Sequence, residues 1–310
     1  MRAPEAPLFI DPVYAGAADP TVVWNRHEKL WFLFYTQRPA TLPGPGVTHV
    51  HGSDIGIASS PDGHDWLYRG TAEGLAFEHG RNTFWAPEVL YCGGTYHMYV
   101  SYVQGMPVNW DRGRKIVHYT SRDLWEWKYE SALDFGPGYG RIFDACAARC
   151  PGGVWRMWFK NEEDNGYTYM AESRDLYGWT AKGPAVTGLS HEGPNVFFWK
   201  GSWWLVADMW RGLCAFRSQD ALRWERAGTI LDSAGSRPMD DGYGHHAKVL
   251  VCGEEAYIFY FVHQSGDGAA RRLTALQAAR LHTDGRTLAC DRDEQFDFAL
   301  PDGDSLGHYS

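Results

Sequence analysis

The chain has 310 residues, 44% hydrophobic and 15% aromatic, enough to bury a large core in one big all-β domain or two smaller ones. Its formal charge of −9 at pH 7, with the signs interspersed and no run of Lys and Arg, excludes a nucleic-acid partner, which requires a basic face. No 18 uncharged apolar residues run together, and Met1 to Pro7 lacks a basic and an apolar signal segment, so a soluble, cytoplasmic protein with no membrane partner is expected.

In chain order, strand-like runs rich in aromatic and β-branched residues occur at Leu30 to Thr36, Tyr96 to Tyr102, Val154 to Lys160, Trp203 to Met209 and Ala256 to Val262. The first four are each followed by the pattern Ser-x-Asp-x-x-x-Trp, at Ser60/Asp62/Trp66, Ser121/Asp123/Trp127, Ser173/Asp175/Trp179 and Ser218/Asp220/Trp224. A weaker fifth copy is Thr283-Asp284-Gly285, with Leu288 in the Trp place. Each Asp is expected to bind the backbone N–H groups of a tight turn, and each Trp to pack between neighbouring units. Hairpin signals such as Cys92-Gly93-Gly94-Thr95, Pro151-Gly152-Gly153 and Lys200-Gly201-Ser202 separate a first strand from a second in the same unit. Each unit thus reads as strand, hairpin, strand, strand, Asp turn, strand. Five such units predict an all-β, five-bladed β-propeller spanning residues 1–310 as a single domain.

In a propeller the first strand of each blade lines the axis, so chemistry is expected at its start. Those starts read Ala18-Asp19-Pro20-Thr21-Val22-Val23, Phe84-Trp85-Ala86-Pro87-Glu88-Val89, Ile142-Phe143-Asp144-Ala145-Cys146, His191-Glu192-Gly193-Pro194-Asn195-Val196 and Gly244-His245-His246-Ala247-Lys248-Val249. Four carry a carboxylate and the fifth a His pair. Six cysteines, of which only Cys146 and Cys150 lie close together, are expected to be buried free thiols rather than a disulfide or zinc framework.

These five starts, in this order along nearly the whole chain, resemble glycoside hydrolase family 43 and its relative family 117. The resemblance implies an inverting glycosidase acting on an oligosaccharide. By it, Asp19 is the general base, Asp144 modulates the pKa of the acid, and Glu192 is the general acid. Trp85-Ala86-Pro87-Glu88-Val89 matches the second-blade signature, which gives Glu88 a structural or substrate-positioning role. His245 would face a central cation or water, while His246, by strand alternation, would not. The departures are Ala145, where family 43 commonly has Pro, and His191 beside Glu192, an arrangement similar to family 117, in which a His is a second candidate for the acid.

The residue types suit the reaction, since inversion needs a base on one side of the sugar and a protonated acid on the other, about 6.5–9.5 Å apart. Trp85, Trp110 and Trp210 are candidate walls for a sugar ring, and Arg38 and Arg211 candidate partners for its hydroxyls. The insertions Pro39 to Ser53 and Gln104 to Arg114 are expected to shape the pocket. No cofactor is required on this reading; a structural calcium at the axis, beside His245, is the one ion the resemblance allows for. A lectin-like propeller would explain the repeats but not the acids, and a glycoside phosphorylase would need several basic groups around the axis. A sialidase needs an Arg cluster and a Tyr nucleophile, and no such set is evident. Neither the sugar, whether arabinofuranose, xylose, galactose-type or anhydrogalactose, nor the oligomeric state is encoded in these patterns.

Overall fold

The computed structural model describes residues 3–306. Four four-stranded antiparallel sheets and one three-stranded sheet are arranged in a ring. Blade one comprises β1 (Ala17–Asn25), β2 (Leu30–Gln37), β3 (Asp54–Ser60) and β4 (Leu67–Thr71). Blade two comprises β5 (Thr83–Cys92), β6 (Thr95–Val103), β7 (Lys115–Ser121) and β8 (Lys128–Ala132). Blade three has β9 (Ile142–Arg149), β10 (Trp155–Asn161), β11 (Tyr167–Ser173) and β12 (Trp179–Val186). Blade four has β13 (Glu192–Trp199), β14 (Ser202–Asp208), β15 (Leu213–Ser218) and β16 (Glu225–Ile230). Blade five has β17 (His245–Cys252), β18 (Glu255–His263) and β19 (Thr274–Arg280), followed by a small hairpin of β20 (His282–Thr283) and β21 (Leu288–Ala289). The inner strands β1, β5, β9, β13 and β17 touch in cyclic order, and β17 returns to β1. This is the all-β, five-bladed propeller that the repeat predicts.

The repeat acts through its turns. The side-chain oxygen of Asp123 accepts the N–H groups of Trp125 and Glu126 at 2.9 and 3.1 Å, and Asp175 and Asp220 hold their own turns in the same way. The intervening Leu124, Leu176 and Ala221 adopt positive φ, a conformation these bonds support at a non-glycine residue. Each Trp then packs on the preceding blade: Trp127 edge-on to Phe34, Trp179 to Tyr99, and Trp224 to Trp158. An indole buried as fully as Trp127 contributes about 3 kcal/mol or more, so these contacts hold the blades in register.

The fifth copy departs from the pattern. Asp284 binds the N–H groups of Arg286 and Thr287, but its turn belongs to the β20–β21 hairpin and adds no fourth strand to blade five. Instead the N-terminal segment lies along β19, where Leu8 N–H donates to Leu276 O at 2.9 Å and Phe9 bridges Leu276. The ring is therefore closed by residues from both ends of the chain, which pack into one cluster with Phe259, Phe261 and Phe298. The six cysteines are free thiols, and among the described residues no helix is long and apolar enough to cross a membrane.

Candidate active site

The site is built from one irregularity repeated five times. In every inner strand three residue steps oppose two on the second strand: Ala18 to Thr21, Trp85 to Glu88, Phe143 to Cys146, Glu192 to Asn195 and His245 to Lys248. Each is a β-bulge, and the second residue of each has positive φ: Asp19 (51°), Ala86 (47°), Asp144 (56°), Gly193 (57°) and His246 (21°). Three of the five continue with Pro, whose missing N–H costs nothing where the ladder is broken. In four of the five, the N–H of the left-handed residue is captured by a side chain of the preceding blade. Ala86 N–H donates to Thr36 Oγ1 (2.8 Å), Asp144 N–H to Ser101 Oγ (2.9 Å), Gly193 N–H to Asp144 Oδ2 (3.1 Å) and His246 N–H to Asp208 Oδ2 (3.2 Å). Bulge and neighbour are thus mutually satisfied.

The bulge overrides strand alternation. Its first residues Trp85, Phe143, Glu192 and His245 and its second residues Asp19, Asp144 and His246 all line one cavity of about 450 Å³ at the axis. Arg38, Trp110 and Trp210 line it too, and both insertions contribute to its wall. Trp85 Nε1 donates to Val50 O at 2.6 Å, and Arg114 donates to Trp110 O at 2.9 Å while pairing with Glu162. Trp110 and Trp210 are 50% and 45% exposed at the rim, with the Arg114 guanidinium 5.8 Å from the Trp110 ring centre and the Lys160 ammonium 4.8 Å from that of Trp210.

Asp19 is buried, with Arg38 Nη2 at 3.1 and 3.2 Å from its two oxygens and His246 Nδ1 at 3.5 Å. Burial alone would raise its pKa, but Arg38, His246 and Thr36 outweigh it and hold Asp19 below the usual carboxylate range. Asp144 lies 3.8 Å from His246. Burial lifts it most; His246 and Lys160 oppose, Glu192 and Asp19 add to the rise, and the result is a pKa of about 7. The carboxylate cluster therefore retains a proton near neutrality, and that proton belongs to the interacting set. Glu192 is gripped at both oxygens, by Lys160 Nζ at 3.2 Å and by Trp210 Nε1 at 3.1 Å. Trp210 is itself set by an Asx turn in which its N–H donates to Asp208 Oδ1 at 2.7 Å.

Four expectations need correction. His246, not His245, stands between Asp19 and Asp144; His245 turns its Nδ1 to Asp208 at 2.9 Å. The bulge, absent from simple alternation, brings both rings to the cavity. His191 lies outside the cavity, fully buried, with its ring nitrogens 2.6 Å from Thr168 Oγ1 and 2.7 Å from Leu189 O and its ring tilted at 40° to that of Phe216, 6.2 Å away. It precedes the bulge and points between blades. Glu88, the fourth residue of its bulge, is also absent from the cavity wall and pairs with Lys248 at 2.7 and 2.9 Å, which agrees with the structural of its two expected roles and not with the substrate-positioning one. Arg211 is exposed and away from the wall. Sequence reasoning missed Lys160, Arg114 and Asp208. The signal for Lys160 is a lysine inside the apolar run Trp155–Asn161, and that for Asp208 is its place two residues before Trp210.

These charges have a measurable consequence for stability. Asp144 binds its proton in the folded state up to about pH 7 but in the unfolded chain only near its ordinary value of 3.8, so in that window folding takes up a proton. Stability from this group falls as pH rises from about 4 to about 7. The raised His246 acts in the same direction above its ordinary 6.5, whereas Asp19 contributes stability that is lost only as pH falls below its ordinary 3.8. His97, His118 and His263, whose pKa values burial lowers, act in the opposite direction below 6.5, so the effect of Asp144 is read as a difference: relative to Asp144→Asn, the melting temperature of the wild type should decline between about pH 5 and pH 7. Thermal melts of both proteins across this range check it; an equal decline in the variant would remove Asp144 as its source.

No protein-family profile matches this chain. No curated protein sequence does either. Solved structures do. A thermostable family-43 glycoside hydrolase aligns over 93% of this chain and 98% of its own at 19% identity, with a TM-score of 0.64. A family-43 β-xylosidase/α-arabinofuranosidase from a compost microbial metagenome, in complex with xylotriose and calcium-free, aligns over 93% and 97% at 14% identity, with a TM-score of 0.67. A family-43 enzyme from Xanthomonas citri, complexed with xylotriose, aligns over 90% and 91% at 13% identity and 0.64. At such identities the likeness is one of architecture, and on it this chain has the five-bladed propeller fold of the family-43 glycoside hydrolase structures.

Proposed function

We propose that this protein is a glycoside hydrolase that removes a terminal sugar from an oligosaccharide with inversion of configuration. The observation that carries the reading is the convergence of Asp19, Asp144 and Glu192, from three blades, on one axial cavity rimmed by the half-exposed indoles of Trp110 and Trp210. Asp19, held ionised by Arg38, suits a base that takes a proton from water as the water oxygen attacks the anomeric carbon. Glu192, gripped by Trp210 and Lys160, is placed to give a proton to the departing glycosidic oxygen as its bond to that carbon breaks. The two stand on non-adjacent blades and at different bulge positions, an arrangement suited to a water between them rather than to a close nucleophile pair. That two of the structural neighbours hold xylotriose supports an oligosaccharide substrate.

Arg38, Arg114 and Lys160 bring basic groups to the cavity, the feature a phosphorylase would need. Each is committed to a carboxylate, Asp19, Glu162 and Glu192 respectively, so hydrolysis is the better-supported reaction. Aryl glycosides and oligosaccharides of xylan, arabinan and agar form the substrate screen. With the substrate so found, proton NMR of fresh product should show the inverted anomer and no sugar phosphate when inorganic phosphate is added. Retention, or phosphate-dependent turnover, would overturn the reading.

A further inference from the structure

The axis bears on the hard cation that the family resemblance allows for. Among the described residues no three His, Cys, Asp or Glu side chains are grouped to hold a metal ion. The axial acids are already engaged: Asp19 by Arg38 and His246, Asp144 by His246 and Gly193 N–H, and Asp208 by His245 and two N–H groups. Behind them the fourth bulge residues Thr21, Glu88, Cys146, Asn195 and Lys248 make a second layer. There the Lys248 ammonium meets both oxygens of Glu88 at 2.7 and 2.9 Å. Glu88 Oε1 also accepts Ala147 N–H at 3.3 Å, and Asn195 joins Val249 N–H to Cys146 Sγ. Calcium takes six to eight oxygen ligands. This layer offers a single carboxylate, which a cation already neutralises, and the donor set does not fit the ion.

We propose that Lys248 is the protein's own axial cation, a positioning residue that stands where a metal would otherwise be needed. Through Glu88 its charge ties together β5, β9 and β17 two or three residues from Trp85, Asp144 and His246, the residues those strands send into the cavity. Lys248 borders a second cavity, of about 610 Å³, lined by the far ends of the same inner strands, including Trp24, Tyr91 and Phe198.

The test reads metal content and melting temperature, so its failure would leave the hydrolase reading standing, and loss of that reading would leave this one untouched. After dialysis against a chelator the wild type should hold no stoichiometric calcium, and millimolar calcium should move its melt by less than about 1 °C, whereas a resident site would give several degrees. Lys248→Ala, which leaves Glu88 buried and unpaired, should melt roughly 10 °C lower. n-Propylammonium, which replaces the atoms removed, should restore part of that loss, while tetramethylammonium at equal ionic strength should not. A double variant, Glu88→Gln with Lys248→Met, should melt near the wild type and ignore the amine, because no buried charge is left alone. Stoichiometric calcium in the wild type, a calcium-dependent melt, or a Lys248→Ala protein indifferent to the amine would each overturn the proposal. If Lys248→Ala does not fold, the wild-type calcium measurements and the double variant decide it.

Discussion

Asp19→Asn and Glu192→Gln should each lower turnover of an identified glycoside by about 10²–10⁴-fold, because each keeps the shape of its side chain while removing a group that moves a proton. Asp19→Asn also loses half of its pairing with Arg38, so its melt should fall modestly; Glu192 is less enclosed and its variant should melt near the wild type. Aryl glycosides with good leaving groups need little protonation, so Glu192→Gln should be spared on them and Asp19→Asn should not. His191→Ala is the internal comparison. Its ring is spent on Thr168 and Leu189, so its removal should cost stability and affect both substrate types alike. Steady-state rates on an aryl glycoside and an oligosaccharide, with melts alongside, check all three. Near wild-type turnover in Asp19→Asn would remove it as the base, and selective loss on natural substrates after His191→Ala would move the acid role to that residue.

The second large effect is expected from the smallest change. Gly193 has φ +57°, and a Cβ there would lie 2.6 Å from His246 Cγ and 2.7 Å from its Nδ1. Gly193→Ala therefore has two costs, a left-handed alanine of about 1–2 kcal/mol and the eviction of the His246 ring from between Asp19 and Asp144. The Gly193 N–H bond to Asp144 would shift with it. Displacements of about 1 Å can cost about 10²-fold in rate, so turnover should fall by that order while the protein still folds. A crystal structure of the variant with parallel kinetics would test this; an unmoved His246 or an unchanged rate would contradict it. Gly201, whose φ is also positive but which has open space around its Cβ position, provides the control: Gly201→Ala should lower stability and leave the rate alone.

Much of the fold was legible because its information is local. The Ser-x-Asp-x-x-x-Trp repeat writes a turn and an interblade contact in seven consecutive residues, and Asp123 with Trp127 does in space what the spacing implies. The carboxylates at blade starts were legible for the same reason, since strand order alone brings Asp19, Asp144 and Glu192 to one axis. Within the site, the misplacement of the histidine pair has one cause. A bulge changes which side chains face the axis, and alternation cannot be counted through it, so His246 was placed wrongly although Asp19-Pro20, Ala86-Pro87 and Gly193-Pro194 mark the positions where the ladder breaks. Blade five misled for a different reason, because the partner of β19 comes from Leu8 and Phe9, far away in the chain. The sequence by itself determined the repeat, the turns and the residue types at the axis, all set by short-range hydrogen bonding and apolar patterning. Tertiary structure alone decided the pairings: Lys160 with Glu192, Arg38 with Asp19 and Lys248 with Glu88 join residues from separate strands, and only closure of the ring brings such charges within reach in a medium where burial makes each pairing count.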